Sequence, residues 1–148
     1  MSAAWGQYAD TVLHFPAAGL SVDLRLPLPS AMARRFAELG LGASFGVITA
    51  CNPLGDLLEP AANRRLTSVF DSVVRERYPG APRADGGSPD GKHSEAGRAI
   101  AAPLPQLRRL AAEFLQNALF WFDGERFVIV PVLAPGPHLP LPVSRRER

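Results

Sequence analysis

Ser44-Phe45-Gly46-Val47-Ile48-Thr49-Ala50-Cys51-Asn52-Pro53 is the stretch on which the fold turns. Ser44–Ala50 reads as one continuous apolar and β-branched run, with no polar alternation. That pattern belongs to a central strand covered on both faces. Glycine precedes it and Asn52-Pro53 breaks it, so the strand empties into a short polar loop.

Upstream, residues 8–15 are rich in strand formers, and Pro16-Ala17-Ala18-Gly19 interrupts them. Leu20, Val22, Leu24 and Leu26 then alternate with Ser21, Asp23, Arg25 and Pro27. Period two around a glycine turn predicts a hairpin with one buried face. Ser30 suits the N-cap of a short helix over 31–39, which Gly40 ends.

Downstream, Pro60 suits the first turn of a helix. Ala62, Leu66, Val69, Phe70, Val73, Val74 and Tyr78 recur at three- and four-residue spacing, with Arg64, Arg65, Arg75 and Arg77 on the other side. This is the clearest amphipathic helix in the chain. Residues 82–92 are dominated by glycine, proline and aspartate, as in a long hairpin tip or a mobile flap. Residues 95–101 form a weak strand candidate. Pro105 opens a last helix with a stripe of Leu107, Leu110, Ala111, Phe114, Leu115 and Ala118. Leu119–Phe122 and Arg126–Val130 flank Asp123-Gly124, a strong hairpin signal.

The order predicts an α+β fold: a mixed sheet of about five to six strands with three helices packed on it, as a single domain over 1–130. The chain has 148 residues, enough for one domain with a real core. Prolines crowd the end from Pro131 on, and three of the last four residues are arginine. Residues 131–148 therefore read as an extended, disordered, basic tail.

The net charge is +2. Removing Arg145–Arg148 leaves acidic and basic residues equal in number, so nothing in the count marks a nucleic-acid binder. The arginines at 64, 65, 75, 77, 108 and 109 read as solvated helix faces, paired with Asp71, Glu76 and Glu113. Cys51 is the one cysteine, which excludes an internal disulfide and a thiolate zinc site and points to a reducing, cytoplasmic setting. Residues 1–5 lack the pattern of a signal peptide, and no apolar run is long enough to span a membrane.

Several chemistries are excluded by spacing. His93-Ser94-Glu95 has the His-x-Glu of zinc deaminases, but no Pro-Cys-x-x-Cys follows. The glycine-rich loop at 86–91 lacks the Gly-Lys-Ser/Thr of a P-loop and the spacing of a dinucleotide fold. No Gly-x-Ser-x-Gly elbow is present. Three scattered histidines form no metal cluster, and no cofactor is expected. Cys51 reads as buried and inert, a Cys51–His93 dyad being the sharper alternative.

Phe45-Gly46-Val47-Ile48-Thr49-Ala50-x-Asn52-Pro53, Asn63, the loop from Gly86 to Gly91, Glu95, and Ala112-x-Phe114-x-Gln116-Asn117-Ala118 together resemble a bacterial family catalogued only as a domain of unknown function, number 3293 in its series. The resemblance covers roughly residues 8–130. The family pattern has tryptophan near His93 and serine near Gly97, where this chain differs. It implies no activity. It does single out Thr49, Asn52, Asn63, Glu95 and Gln116 as polar positions that converge in one pocket. The favoured function is a non-enzymatic binding or regulatory module, with a small polar ligand or a protein as partner. The alternative is a hydrolase- or transferase-like enzyme with Glu95 as catalytic acid/base and the amides positioning substrate.

Overall fold

The computed structural model describes residues 3–144. The central strand forms as expected: β3 spans Phe45–Thr49, and its first four residues are buried. It is flanked on both sides by antiparallel partners. One is β6 (Gly97–Ile100) and the other is β7 (Ala118–Phe122). The Asp123-Gly124 hairpin then leads into β8 (Phe127–Pro131), with Phe122 opposite Phe127. Asp123 Oδ1 accepts the backbone N–H groups of Glu125 and Arg126 and closes the turn.

A second, smaller sheet stands apart. β1 (Val12–Phe15) pairs with β2 (Leu20–Asp23), the predicted hairpin, and with β4 (Asp85–Gly87). β4 pairs with β5 (Ser94–Glu95), so residues 88–93 are a hairpin tip. The α+β class holds, but the strands divide between two antiparallel sheets instead of sharing one mixed sheet. The reason lies between 78 and 97. A helical crossover alone would return the chain parallel to β3; here the β4–β5 hairpin reverses it once more. The chain then steps at Ala96 from β5 in one sheet to β6 in the other. Gly97 allows that step, since a Cβ there would lie 2.7 Å from the carbonyl oxygens of both Ala84 and Ile48.

The three expected helices form as α2 (Met32–Glu38), α3 (Pro60–Arg77) and α4 (Leu104–Glu113). α1 (Ala3–Ala9) precedes them, where the sequence suggested a strand beginning at residue 8. Alternation along the larger sheet sorts its side chains into two cores. Phe45, Val47, Phe122, Phe127 and Ile129 face the smaller sheet and α2, meeting Leu13, Phe15, Val22 and Phe36. Ile48, Ile100, Leu119, Val128 and Val130 face Phe70 and Val74 of α3 and Leu107, Leu110 and Ala111 of α4. α4 lies close against β3 because residue 46 is glycine; a Cβ there would sit 2.7 Å from Leu107 Cδ1.

The Pro-rich end also differs from expectation over its described part. β9 (Leu139–Pro140) pairs with β8 at the sheet edge, where proline is tolerated. Leu141 and Val143 are buried in the aromatic core, and Trp5 Nε1 of α1 donates to Pro137 O at 3.3 Å. Leu139, Leu141 and Val143 alternate with Pro140 and Pro142, a period-two pattern that the proline content masks. Residues 145–148, the basic end, lie outside the described residues. Among the described residues, no helix is long and apolar enough to cross a membrane.

Candidate functional site

The site grows from the last residue of β3. Thr49 Oγ1 donates to Ala96 O at 2.7 Å and accepts the backbone N–H of Cys51 at 3.0 Å. It thereby pins the strand end to the point where β5 passes into β6. Three residues on from Thr49, Asn52 adopts the left-handed conformation, with φ 51°. Asparagine tolerates that region better than other non-glycine residues, because its short polar side chain bonds locally.

Asn52 and Asn63 bind each other reciprocally. The Asn52 backbone N–H donates to Asn63 Oδ1 at 2.9 Å, and Asn63 Nδ2 donates to Asn52 Oδ1 at 2.8 Å. Asn63 lies in the first turn of α3, so this pair docks the helix start onto the strand end. Asn52 Oδ1 also accepts the Leu58 N–H, and Asn52 Nδ2 donates to Glu95 Oε1 at 2.9 Å. Burial pushes the Glu95 carboxyl above the ordinary glutamate range, with the Asn52 hydrogen bond opposing that rise. Nearby, burial first and the Glu95 charge second raise the Tyr8 phenol. The Tyr8 ring stands edge-on to Phe120, with centroids 6.1 Å apart.

Gln116 approaches from the other side. It is buried, and Nε2 donates to Cys51 O at 3.2 Å and to Phe114 O at 3.1 Å. It stands just beyond α4, whose end has an unusual residue. Gln116 N bonds Ala111 O and Leu115 N bonds Ala112 O, the pair of bonds of a Schellman motif. The left-handed position of that motif favours glycine; here it is Leu115, with φ 55°. Leu54 is left-handed as well, with φ 57°, and its N–H donates to Leu115 O at 2.7 Å. Asn52, Leu54 and Leu115 are the non-glycine residues of positive φ among the described residues, and all three meet here. Strain of this kind clusters at functional sites. The two leucines are 52% and 47% exposed, and Leu57 in the same loop is 86% exposed.

The structure therefore brings Asn52, Asn63 and Glu95 into direct contact, and Thr49 and Gln116 join through the backbone of Ala96 and Cys51. Cys51 is buried, with Sγ 3.6 Å from Thr67 Oγ1 and 3.9 Å from Ala96 O. Among the described residues no histidine is hydrogen-bonded to it. His93 is exposed at the hairpin tip, its N–H bonded to Ser88 Oγ. Among the described residues no group of three His, Cys, Asp or Glu is placed to hold a metal ion. Sequence reasoning missed Tyr8, which it placed in a strand, and the leucine rim. Leu115 was assigned to the buried stripe of the last helix, but that helix ends at Glu113. Leu54 and Leu57 did carry a signal: two leucines in a loop of glycine and acidic residues.

What the fold and site define is a small α+β domain whose strand end is held by an amide–carboxylate network. Residues 48–119 match the family model described as "Protein of unknown function (DUF3293)". The match supports the family resemblance that the motifs carried. Every expected site residue falls inside the matched stretch; Tyr8 falls outside it. No curated protein and no solved structure matches the chain.

Proposed function

We propose that the protein is a non-enzymatic binding or regulatory module that takes a ligand at the loop following β3. One observation carries this reading: the amides are used up in bonds within the protein, while the carboxylate is bonded through one oxygen and keeps the other for a ligand. Asn52 uses both side-chain atoms, Asn63 likewise, and the Gln116 amide nitrogen makes two bonds. Glu95 is held through Oε1 alone. The amides thus form a frame that holds Glu95 on Asn52, which also anchors the loop carrying the exposed Leu54 and Leu57. A carboxylate raised by burial gains from a cation or a strong donor, and leucines gain from an alkyl surface. The matching ligand is a small polar molecule, or a partner's side chain, with an ammonium head and an apolar body. The buried free thiol of Cys51 suits the cytoplasm.

The second reading is a hydrolase- or transferase-like enzyme with Glu95 as acid/base. The raised Glu95 carboxyl favours it. Against it, the amides that would position a substrate are occupied with holding the loop.

The test is a protein-observed NMR titration of the full chain with n-butylamine hydrochloride. Saturable shifts at residues 49–58 and 95 are expected, and Glu95→Gln abolishes them. Equal binding by Glu95→Gln would end the reading.

A further inference from the structure

The last turns of α3 carry a second feature, away from Asn63 at the start of that helix. A cavity of about 240 Å³ opens between the last turns of α3, the Gly80-Ala81 turn and β6. Its apolar walls are Val74, which is buried, Ala81 and the ring of Tyr78. Tyr78 is fixed in place, since its hydroxyl donates to Gln106 Oε1 at 3.2 Å.

The polar lining is one carboxylate and two guanidinium groups: Asp71, Arg75 and Arg98. Arg98 projects from β6 toward α3 and is only 24% exposed. Its Nε donates to Asp71 Oδ1 at 2.9 Å, and Nη1 donates to Ala81 O at 3.3 Å. These two bonds lock the plane of the guanidinium, while Nη2 has no hydrogen-bond partner among the described residues. Asp71 compensates one positive charge. Arg75, one turn further along α3, is exposed and forms no ion pair within the described residues. The cavity therefore holds an excess positive charge at its mouth beside an aromatic and aliphatic wall.

That combination selects a ligand class. A guanidinium whose plane is locked holds its remaining Nη2–H donors in fixed directions toward a carboxylate, which a flexible lysine ammonium cannot reproduce. An apolar cavity of about 150 Å³ accommodates a benzene ring, so the space here admits a ring together with its carboxylate. We infer that this cavity is a binding site for a small aromatic carboxylate. The ring lies on Val74 and Tyr78, and the carboxylate meets Arg75 and the free Nη2 of Arg98. The site is separate from the loop after β3 and takes the opposite charge, so either stands or falls without the other.

The experiment is an NMR titration of the full chain with sodium benzoate at constant ionic strength, with n-butylamine hydrochloride and inorganic phosphate as controls. Benzoate is expected to give saturable shifts confined to residues 71–81 and 98. Arg75→Gln, a surface change that leaves the Arg98–Asp71 bond intact, is expected to weaken binding about fivefold to tenfold. Arg98→Lys keeps the charge, loses the fixed Nη2 donor and is expected to weaken it at least as much. The inference is overturned if benzoate gives no saturable shift there in the tens of millimolar range. It is equally overturned if Arg75→Gln binds as the parent does, or if phosphate produces the same shifts.

Discussion

The two ends of β3 are built on opposite principles. At the Phe45 end the environment is dry and aromatic. Phe36 stands 4.9 Å from Phe45 and 5.0 Å from Phe122 between ring centroids, and Phe15 and Phe127 complete the cluster. At the Thr49 end, four residues later, the contacts are hydrogen bonds among side-chain amides, a carboxylate and loop backbone, and the backbone is strained. The contrast teaches where stability and function reside on one strand. Apolar packing is tolerant of conditions and non-directional. An amide network fixes direction, and it presents a chemical group at the cost of strain that the packed end offsets.

The comparison is broken most severely at the aromatic end. Phe45→Ala should destabilise the protein by about 3–5 kcal/mol, read from urea unfolding, because the surrounding rings cannot collapse into the cavity. A loss below that of the next variant would reverse the assignment of the two ends.

Asn52→Ala should cost about 2–3 kcal/mol, combining the lost hydrogen bonds with an alanine forced into the left-handed region. Asn52→Gly removes the same bonds but relieves the backbone, so it should recover about 1 kcal/mol of that loss. If the two variants are equal, the backbone conformation contributes nothing and the strain argument fails.

Leu115→Gly tests strain in the other direction. Glycine fits the left-handed position of the Schellman motif, so the variant should gain about 0.5–1 kcal/mol while weakening n-butylamine binding. A loss of stability would show that Leu115 is held there by packing.

Glu95→Gln gives the subtlest effect, visible only against pH. The folded protein holds this carboxyl above its unfolded value, so the protonated form is favoured on folding. The resulting stability is fully present below the unfolded glutamate pKa. It is lost as pH rises through the raised folded value. Parent and variant should therefore agree at low pH, and the variant should be the more stable near neutrality. Parallel stability–pH curves for the two proteins would mean that Glu95 titrates like a surface residue.

Much of the aromatic end was legible. Ser44–Ala50 as a central strand, the Asp123-Gly124 hairpin, and the helices opened near Pro60 and Pro105 all follow from local pattern. The site was partly legible, since Thr49, Asn52, Asn63, Glu95 and Gln116 stood out through family motifs. Their bonding was not, because these residues are far apart in sequence and each side chain has an equally good local turn role. The Pro-rich end misled because composition outweighed the alternation of Leu139, Leu141 and Val143. Pairing with β8 is a non-local gain that composition cannot register. The leucine at the end of α4 misled for a related reason: periodicity says which face a helix buries, not where it stops.

The central strand β3 shows the division plainly. Sequence alone determined that Phe45 to Ala50 is a buried strand and that Asn52-Pro53 ends it, because side-chain periodicity and proline geometry act over a few residues. Tertiary structure alone decided that the strand sits between antiparallel neighbours, that the chain crosses between sheets at Ala96, and that Glu95 comes to rest on Asn52. Those outcomes depend on a hairpin reversing the chain some thirty-five residues away. Its direction is settled by which apolar faces can be buried together.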